Sequence, residues 1–273
     1  MIKAALIQMR SGLNPSESAT ALEPLIKDAA FKGATYIQTP EMTGCLHKNR
    51  ESLADVLTDQ SSDPIAKLAQ SLSQELNVTI HIGSTAIKTD DDMVANRALV
   101  FEKGVLCASY DKIHMFDVDL DNGESWRESS TYLPGKDCVV VELDGVKFGL
   151  GICYDVRFPR LFTDQAVAGA QILTAPAAFT KQTGEAHWHI LQRARAIENG
   201  AFMISAAQGG THDDGRETYG HSIIVDPWGK IIAEINSDKP GVAIADIDIA
   251  LSVAAREKIP NLKNARDYQL KPV

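Results

Sequence analysis

Short apolar runs of strand length alternate along this chain with longer stretches whose apolar residues recur every three or four positions. Residues 2–9 read as a strand. Asn14-Pro15-Ser16-Glu17 then opens a helix, with Asn14 as its cap, Pro15 in its first position and Glu17 completing a capping box. Leu22, Leu25, Ile26 and Ala29 share one face of that helix, and Pro24 within it predicts a kink or a restart. Residues 34–39 form the next strand, ending at Pro40-Glu41. Asp63-Pro64 opens a second helix striped by Ile65, Leu68, Leu72 and Leu76. A strand over 78–86 and a hairpin of 97–102 with 105–109 around Lys103-Gly104 complete the first half.

The second half repeats the plan. A strand over 146–152 is followed by a helix from Pro159 to about Gly169, a strand over 171–175, a helix over 185–199 and a strand over 202–207. A hairpin of 223–225 with 231–235, turning through Asp226-Pro227-Trp228-Gly229, and a strand over 242–247 follow. The order β-α-β-α-β followed by hairpins thus occurs twice, which predicts an α/β fold of two similar sheets facing each other with helices outside. No linker or low-complexity segment divides the chain, so one domain spanning 1–273 is expected.

Composition narrows the function. A formal net charge of -9, without clustered Lys and Arg, argues against nucleic acid or an anionic membrane as the main partner. The four cysteines Cys45, Cys107, Cys138 and Cys153 form no C-x-x-C pair and no zinc-like Cys/His spacing, which points to a reducing compartment. With no signal-peptide pattern and no apolar stretch near the ~20 residues of a membrane span, a cytoplasmic protein is expected.

The candidate chemistry centres on Cys153. Phe148, Leu150 and Ile152 alternate with Lys147, Gly149 and Gly151, and the pattern stops at the thiol, with Pro159 poised to start a helix. Such a strand-to-helix turn holds a side chain at the mouth of a sheet, where open α/β folds bind ligands. Two readings stand at this point: a small buried hydrophobe, as most free cysteines are, or a nucleophile. A nucleophile needs a base and donors for an oxyanion. Glu41 and Lys112 are charged residues placed directly after apolar strands, where each reads either as a catalytic group or as half of a surface ion pair. The seven histidines sit in no protease signature. His187 and His189 fall on different helical faces, which disfavours a metal pair.

Several stretches in order extend this reading: Pro40-Glu41, Tyr110-Asp111-Lys112-Ile113-His114, Arg127-Glu128-Ser129, Gly151-Ile152-Cys153-Tyr154-Asp155-Val156-Arg157-Phe158-Pro159, Gly184-Glu185-Ala186-His187-Trp188 and Tyr219-Gly220-His221-Ser222. Over nearly its whole length the chain resembles the nitrilase, or carbon-nitrogen hydrolase, superfamily. The resemblance implies a four-layer α-β-β-α sandwich and a Glu-Lys-Cys triad. In it Glu41 is the general base, Lys112 holds the oxyanion together with the backbone N–H of Tyr154, and Glu128 positions the lysine or the substrate. It further implies hydrolysis of a small amide through a thioester on Cys153, with no metal or cofactor.

Within the superfamily the motifs look most like the small amidase branch containing deaminated glutathione amidase and ω-amidase, the first being nearer. Substrates there carry carboxylates. Arg157, four residues past the nucleophile, reads either as a carboxylate clamp or as half of a structural ion pair, and Phe179 and Thr183 match pocket positions. Asp111, where the branch usually has a basic residue, and Glu185, where it usually has proline, depart from that pattern and put extra carboxylates near the expected rim. The resemblance also implies a homodimer, with a C-terminal tail of about 260–273 at the interface. A catalytically idle interaction scaffold on the same fold is the reading of a different class.

Overall fold

The computed structural model of the chain describes residues 1–89, 93–120, 123 and 125–272. The first half builds strand β1 (Ile2–Gln8), helix α1 (Pro15–Phe31), β2 (Tyr36–Gln38), α2 (Arg50–Ala54), α3 (Pro64–Glu75), β3 (Thr79–Lys88), β4 (Val94–Glu102) and β5 (Val105–Asp111). A small hairpin of β6 (Asp117–Asp119) and β7 (Ser125–Arg127) and the short β8 (Tyr132–Leu133) lead to the second half. There follow β9 (Val140–Leu143), β10 (Val146–Leu150), α4 (Pro159–Val167), β11 (Ile172–Thr174), α5 (Lys181–Asn199) and β12 (Phe202–Ser205). The remainder comprises β13 (Gly209–Thr211), β14 (Glu217–Tyr219), β15 (Ile223–Val225), β16 (Ile231–Glu234), β17 (Gly241–Ile247), α6 (Ala250–Lys258) and α7 (Asn261–Asn264).

Among the described residues the strands form two large sheets, ordered β17-β1-β2-β3-β4-β5 with β8 added at β4, and β16-β15-β12-β11-β10-β9. The twofold repetition in the hydrophobic pattern is therefore a repetition of topology. In each sheet three strands run parallel, β1-β2-β3 and β10-β11-β12, and antiparallel strands flank them. The repeat is broken at one edge: β9 precedes its sheet in sequence, whereas β17 arrives from near the C-terminus to pair with β1 across all seven residues from Ile2 to Gln8. Periodicity locates that strand but is silent about which sheet receives it.

Alternation along β1 explains the layers. Ala4 and Leu6 join the core that also holds Tyr36, Ala98 and Val100 of the first sheet and Phe148, Ile172, Ile204 and Ile223 of the second. Ala5 and Ile7 belong instead to a separate core with Leu22 and Ile26 of α1 and Ile65, Ala69 and Leu72 of α3. Both faces of the strand are buried, so it reads as an unbroken apolar run. The rings of Tyr36 and Phe148 stack across the two sheets with centroids 4.9 Å apart. The architecture is the expected sandwich, with α1 and α3 on one outside and α4 and α5 on the other.

Three expectations need correction. Helix α1 continues through Pro24 without a restart, because that proline and Thr20, whose carbonyl loses its amide partner, both face solvent. Helix α5 begins at Lys181 rather than Glu185. Its first turn carries Gly184, whose missing Cβ admits the Tyr219 ring, so it shows no apolar period. Strand β4 begins at Val94, not at residue 97, since the polar Asn96 interrupts its apolar run. No helix among the described residues is long and apolar enough to cross a membrane.

Candidate active site

The loops carrying Glu41, Lys112 and Cys153 leave the C-terminal ends of β2, β5 and β10. Because β4 is antiparallel to both β3 and β5, the strand β5 points the same way as β2, and Glu41 and Lys112 emerge at one edge of the first sheet. The Glu41 loop is pinned from both sheets. Met42, at φ 54°, donates its N–H to Ser84 Oγ at 2.9 Å, and Gln208 Nε2 from beyond β12 reaches the carbonyls of Glu41 and Met42 at 3.1 and 3.2 Å. Gly83 is required here, since a Cβ would run into the carbonyl of Thr39.

Cys153 begins a 3-10 turn, Cys153–Arg157, with φ of 47°, a left-handed conformation that residues other than glycine rarely adopt. Its N–H donates to Pro176 O at 2.9 Å. The fully buried Asp155 fixes the turn: one carboxylate oxygen accepts the Ile152 N–H at 2.8 Å and the Tyr110 hydroxyl at 2.7 Å. The other accepts the His114 N–H at 3.1 Å and contacts His114 Nδ1 at 2.7 Å. Asp155 thus ties the thiol-bearing turn to the segment that carries Lys112. Gly149 and Gly151 serve the close approach their spacing suggests, for a Cβ on Gly151 would stand 3.0 Å from Thr174 O and one on Gly149 2.5 Å from Gln165 Oε1.

Lys112 is 2 % exposed and lies between two carboxylates. Its Nζ is 2.8 Å from Glu41 Oε1, and 2.9 and 2.8 Å from Glu128 Oε1 and Oε2. Asn96 Nδ2 donates to the same two acids at 3.0 and 3.1 Å, and the Phe116 N–H donates to Glu128 Oε2 at 2.7 Å. The second oxygen of Glu41 accepts the Ala178 N–H at 2.8 Å, and the Cys153 thiol lies close enough to the Glu41 carboxylate for each to shift the other's ionisation. Glu41, Lys112, Cys153 and Glu128 are therefore gathered in one buried cluster.

The electrostatics follow from this packing. Burial opposes the charge on Lys112, but Glu128 and then Glu41 outweigh it and hold its pKa well above that of a free lysine. Burial likewise opposes ionisation of Glu41, yet Lys112, the thiol and the Ala178 N–H together bring its carboxyl below the usual range. Burial and the negative Glu41 push the Cys153 thiol well above an ordinary thiol, against the pull of Lys112. The resting cluster is a neutral thiol beside an ionised acid. Cys45, also buried, is pushed up to about 12 by burial and Asp63, but it lacks a lysine and base of this kind. Burial alone does not separate the two cysteines; their neighbours do.

Arg157 stands elsewhere. Its guanidinium lies 5.3 Å from the Phe179 ring centroid and 5.9 Å from that of Tyr154, with His187 Nδ1 3.3 Å from both Nη atoms, and among the described residues no carboxylate pairs with it. Phe179 packs edge-on to Trp188, and Thr183 bonds Thr180. A cavity of about 540 Å³ opens instead on the side of Glu41, Lys112 and Glu128, walled by Met42, Leu46, Phe116, Trp126 and Tyr132 among others. Arg157, Phe179 and Thr183 do not line it. Of the two unfamiliar carboxylates, Asp111 is held by Arg97 through contacts of 2.6 and 2.9 Å, and Glu185 is exposed on α5; neither enters the cavity.

Sequence reasoning overlooked Asn96, Asp155 and Gln208. Asn96 had a signal, since it shares the inward parity of Ala98 and Val100 on a strand that is otherwise apolar there. Gln208 and Asp155 lie inside stretches noted for other reasons, and only the assembled fold reveals their partners.

Known proteins resemble this chain in sequence and in fold. The family described as Carbon-nitrogen hydrolase matches residues 3–257. The deaminated glutathione amidase of Yersinia enterocolitica is 38% identical over 266 residues, covering 96% of this chain and 92% of its own. That of Mus musculus is 35% identical over 268 residues, covering 96% and 82%. Among solved structures, the C. elegans NitFhit protein superposes with a TM-score of 0.89 at 32% identity, over 97% of this chain and 65% of that one. Saccharomyces cerevisiae Nit3, a member of branch 10 of the nitrilase superfamily, does so at 0.83 and 26%, over 95% and 94%. The family match over nearly the whole chain, with the amidase-named relatives beside it, identifies this protein as a member of the carbon-nitrogen hydrolase family, an enzyme that hydrolyses carbon–nitrogen bonds.

Proposed function

We propose that this enzyme is a cysteine amidase that cleaves a small carboxylate-bearing amide of the deaminated glutathione type. The observation that carries the reading is the buried cluster in which Lys112 Nζ lies 2.8 Å from Glu41 and from Glu128 beside the Cys153 thiol, whose ionisation burial and Glu41 oppose. A thiol held protonated is a weak nucleophile until a base takes its proton, and Glu41 is in contact to do so. Sulfur attacks the amide carbon as the proton passes to Glu41. The resulting oxyanion is met by Lys112 Nζ and the N–H of Tyr154, an early N–H of the 3-10 turn that has no partner within the turn.

Lys112 can exchange one of its two bonds to Glu128 for the oxyanion, because Glu128 keeps Asn96 and the Phe116 N–H. Glu128 is therefore a positioning residue. The C–N bond then breaks, the amine leaving with the proton from Glu41 and the acyl group remaining as a thioester. Water gives a proton to Glu41, attacks the thioester carbon and releases the acid and the thiol. Chain residues supply every step in this scheme.

The amide class rests on the names of the relatives, several of which are deaminated glutathione amidases. Arg157, unpaired with any carboxylate among the described residues and four residues past Cys153, is suited to an anionic group near the acyl carbon, with Tyr154, Phe179 and Thr183 shaping its surroundings. An ω-amidase acting on 2-oxoglutaramate or 2-oxosuccinamate, and an idle scaffold, are the readings this one displaces. A steady-state panel of deaminated glutathione, 2-oxoglutaramate, 2-oxosuccinamate and neutral aliphatic amides tests it. The highest kcat/KM is expected for deaminated glutathione; a tenfold preference for 2-oxoglutaramate would replace it.

The same reading carries a homodimer and a reducing, cytoplasmic setting. In support, residues 265–272 follow α7 as an exposed segment without helix or strand, with Tyr268 89% and Leu270 86% exposed, and all four cysteines are free. Sedimentation velocity of the full chain and of a form ending at Pro260 tests the tail, and an unchanged dimer would exclude its role.

A further inference from the structure

Lys112 enters the catalytic step with every proton committed. An ammonium has three, and Nζ has three resting contacts: Glu41 Oε1 at 2.8 Å, Glu128 Oε1 at 2.9 Å and Glu128 Oε2 at 2.8 Å. To meet an oxyanion it must leave at least one carboxylate oxygen, and a buried charge that loses its donor is strongly destabilised. The surrounding donors anticipate this. Glu41 Oε2 accepts the Ala178 N–H at 2.8 Å, and Glu128 Oε2 accepts the Phe116 N–H at 2.7 Å. The other two oxygens, Glu41 Oε1 and Glu128 Oε1, accept from Asn96 Nδ2 at 3.0 and 3.1 Å. Each of the four oxygens thus has a neutral donor that does not move with the lysine.

Two of these donors are main-chain groups, and the third is the Asn96 side chain. Asn96 is 1 % exposed on β4, and its Oδ1 is buried with no hydrogen-bond partner among the described residues. Turning the amide over would set that carbonyl against two carboxylate oxygens, so the orientation with Nδ2 toward the acids is the one electrostatics allows. A buried position that leaves a carbonyl orphaned so that both amide hydrogens meet acids is one where two donors are required. The main-chain carbonyl of Asn96 also accepts the Lys112 N–H at 3.0 Å. One residue therefore holds the backbone of the lysine and both acids that its side chain leaves.

We propose that Asn96 is a positioning residue that stands in for Lys112 on Glu41 and Glu128 while the lysine turns to the oxyanion. The inference rests on the amidase reading above and adds what allows a fully engaged lysine to move. As the thiol proton passes to Glu41, that acid becomes neutral and its hold on Nζ weakens. Glu128 stays ionised, with Asn96 on Oε1 and the Phe116 N–H on Oε2. Without Asn96 the lysine would be the sole donor to both Oε1 atoms, and the transition state would lose it to the resting acids. Glu41 would also lose a hydrogen bond to its ionised form, leaving Lys112, Glu128, Cys153 and Tyr132 as the titratable groups around it.

Asn96→Ala tests this, because it removes both donors and keeps the main-chain bond to Lys112. Rates are referred to the fraction of protein whose Cys153 takes up iodoacetamide, so that misfolded molecules do not count. In Asn96→Ala we expect kcat to fall by roughly 30-fold with KM within about twofold, and the acid limb of kcat/KM to move to higher pH by about half a unit or more. The acid limb of Cys153 alkylation, read without any amide present, should move in the same direction. Asn96→Thr, of similar volume with one hydroxyl hydrogen, should lose only about fivefold, and it decides alone if Asn96→Ala does not fold. An unchanged kcat per reactive thiol, or limbs that stay in place, overturns the proposal. A wild type that hydrolyses no amide of the panel overturns the amidase reading itself, whereas unmoved limbs beside normal turnover overturn only the role of Asn96.

Discussion

The two sheets share a topology but end in different chemistry. The first sheet delivers ionised side chains: Glu41 after β2 and Lys112 after β5, with Asn96 on β4 bridging to Glu128. The second delivers a thiol on a left-handed backbone together with main-chain groups, the Pro176 carbonyl and the Ala178 N–H. Neither set is sufficient alone. The charges are stable in the interior because each acid faces the lysine, and the thiol gains a use because the opposing sheet places a carboxylate on it. The paired sheets bring C-terminal strand ends of both halves together, and the loops then divide the work.

The largest expected effect comes from removing the contribution of the second sheet. Cys153→Ala should lower kcat by at least ~10⁴-fold while circular dichroism and melting temperature stay near those of the wild type, since a small buried side chain is replaced by another. Removing the charge of the first sheet should cost stability as well as rate. Lys112→Met leaves Glu41 and Glu128 buried without their cation, and denaturant unfolding should show a loss of about 3–5 kcal/mol. A loss under about 1 kcal/mol would mean that the cluster is hydrated and not paired as described.

Smaller effects separate bases from supports. Glu128→Gln keeps a side chain of the same shape near Lys112, so we expect kcat to fall by roughly 10²-fold with KM little changed, against ~10³-fold or more for Glu41→Gln. Equal losses would give the two acids equal standing. Arg157→Lys should raise KM for an amide with an anionic acyl group by about fivefold and leave a neutral one nearly unaffected, because lysine lacks the bidentate fork.

The pH dependence follows from the shifts. Glu41, lowered in the folded state, contributes stability above the ordinary carboxylate range that is lost as pH falls through its folded value. Cys153 is raised. The folded protein therefore keeps a proton that the unfolded chain sheds near pH 9, and stability should decline as pH rises beyond that point. In Cys153→Ala this alkaline decline should be shallower in urea titrations at pH 8 and 10, and an identical slope would place the ionisation elsewhere. Between these limits kcat/KM should be nearly flat, for the acid limb belongs to Glu41 and Lys112 stays charged beyond the alkaline range.

Much of this was legible in the chain. The doubled β-α-β-α-β order predicts the paired sheets, and Glu41, Lys112 and Cys153 stand out because each follows an apolar run, a position that open α/β folds use for ligands. Periodicity could not assign β17 to the first sheet, because pairing between distant segments leaves no local trace. Nor could it find Gln208 or Asp155, whose partners Glu41 and Tyr110 lie far away in sequence. Arg157 illustrates the limit for substrate recognition. Its spacing from Cys153 suggested a clamp or a structural ion pair, and among the described residues aromatic rings and a histidine surround it with no carboxylate paired to it.

The central claim is that carbon–nitrogen cleavage passes through an acyl group on Cys153 activated by Glu41. Peptide-mapping mass spectrometry of wild-type protein quenched in acid during turnover tests it most directly. The account predicts a mass increase equal to the acyl group, without the amine, on the peptide containing Cys153 and on no other. Turnover with that peptide unmodified, or an adduct on another residue, would contradict it.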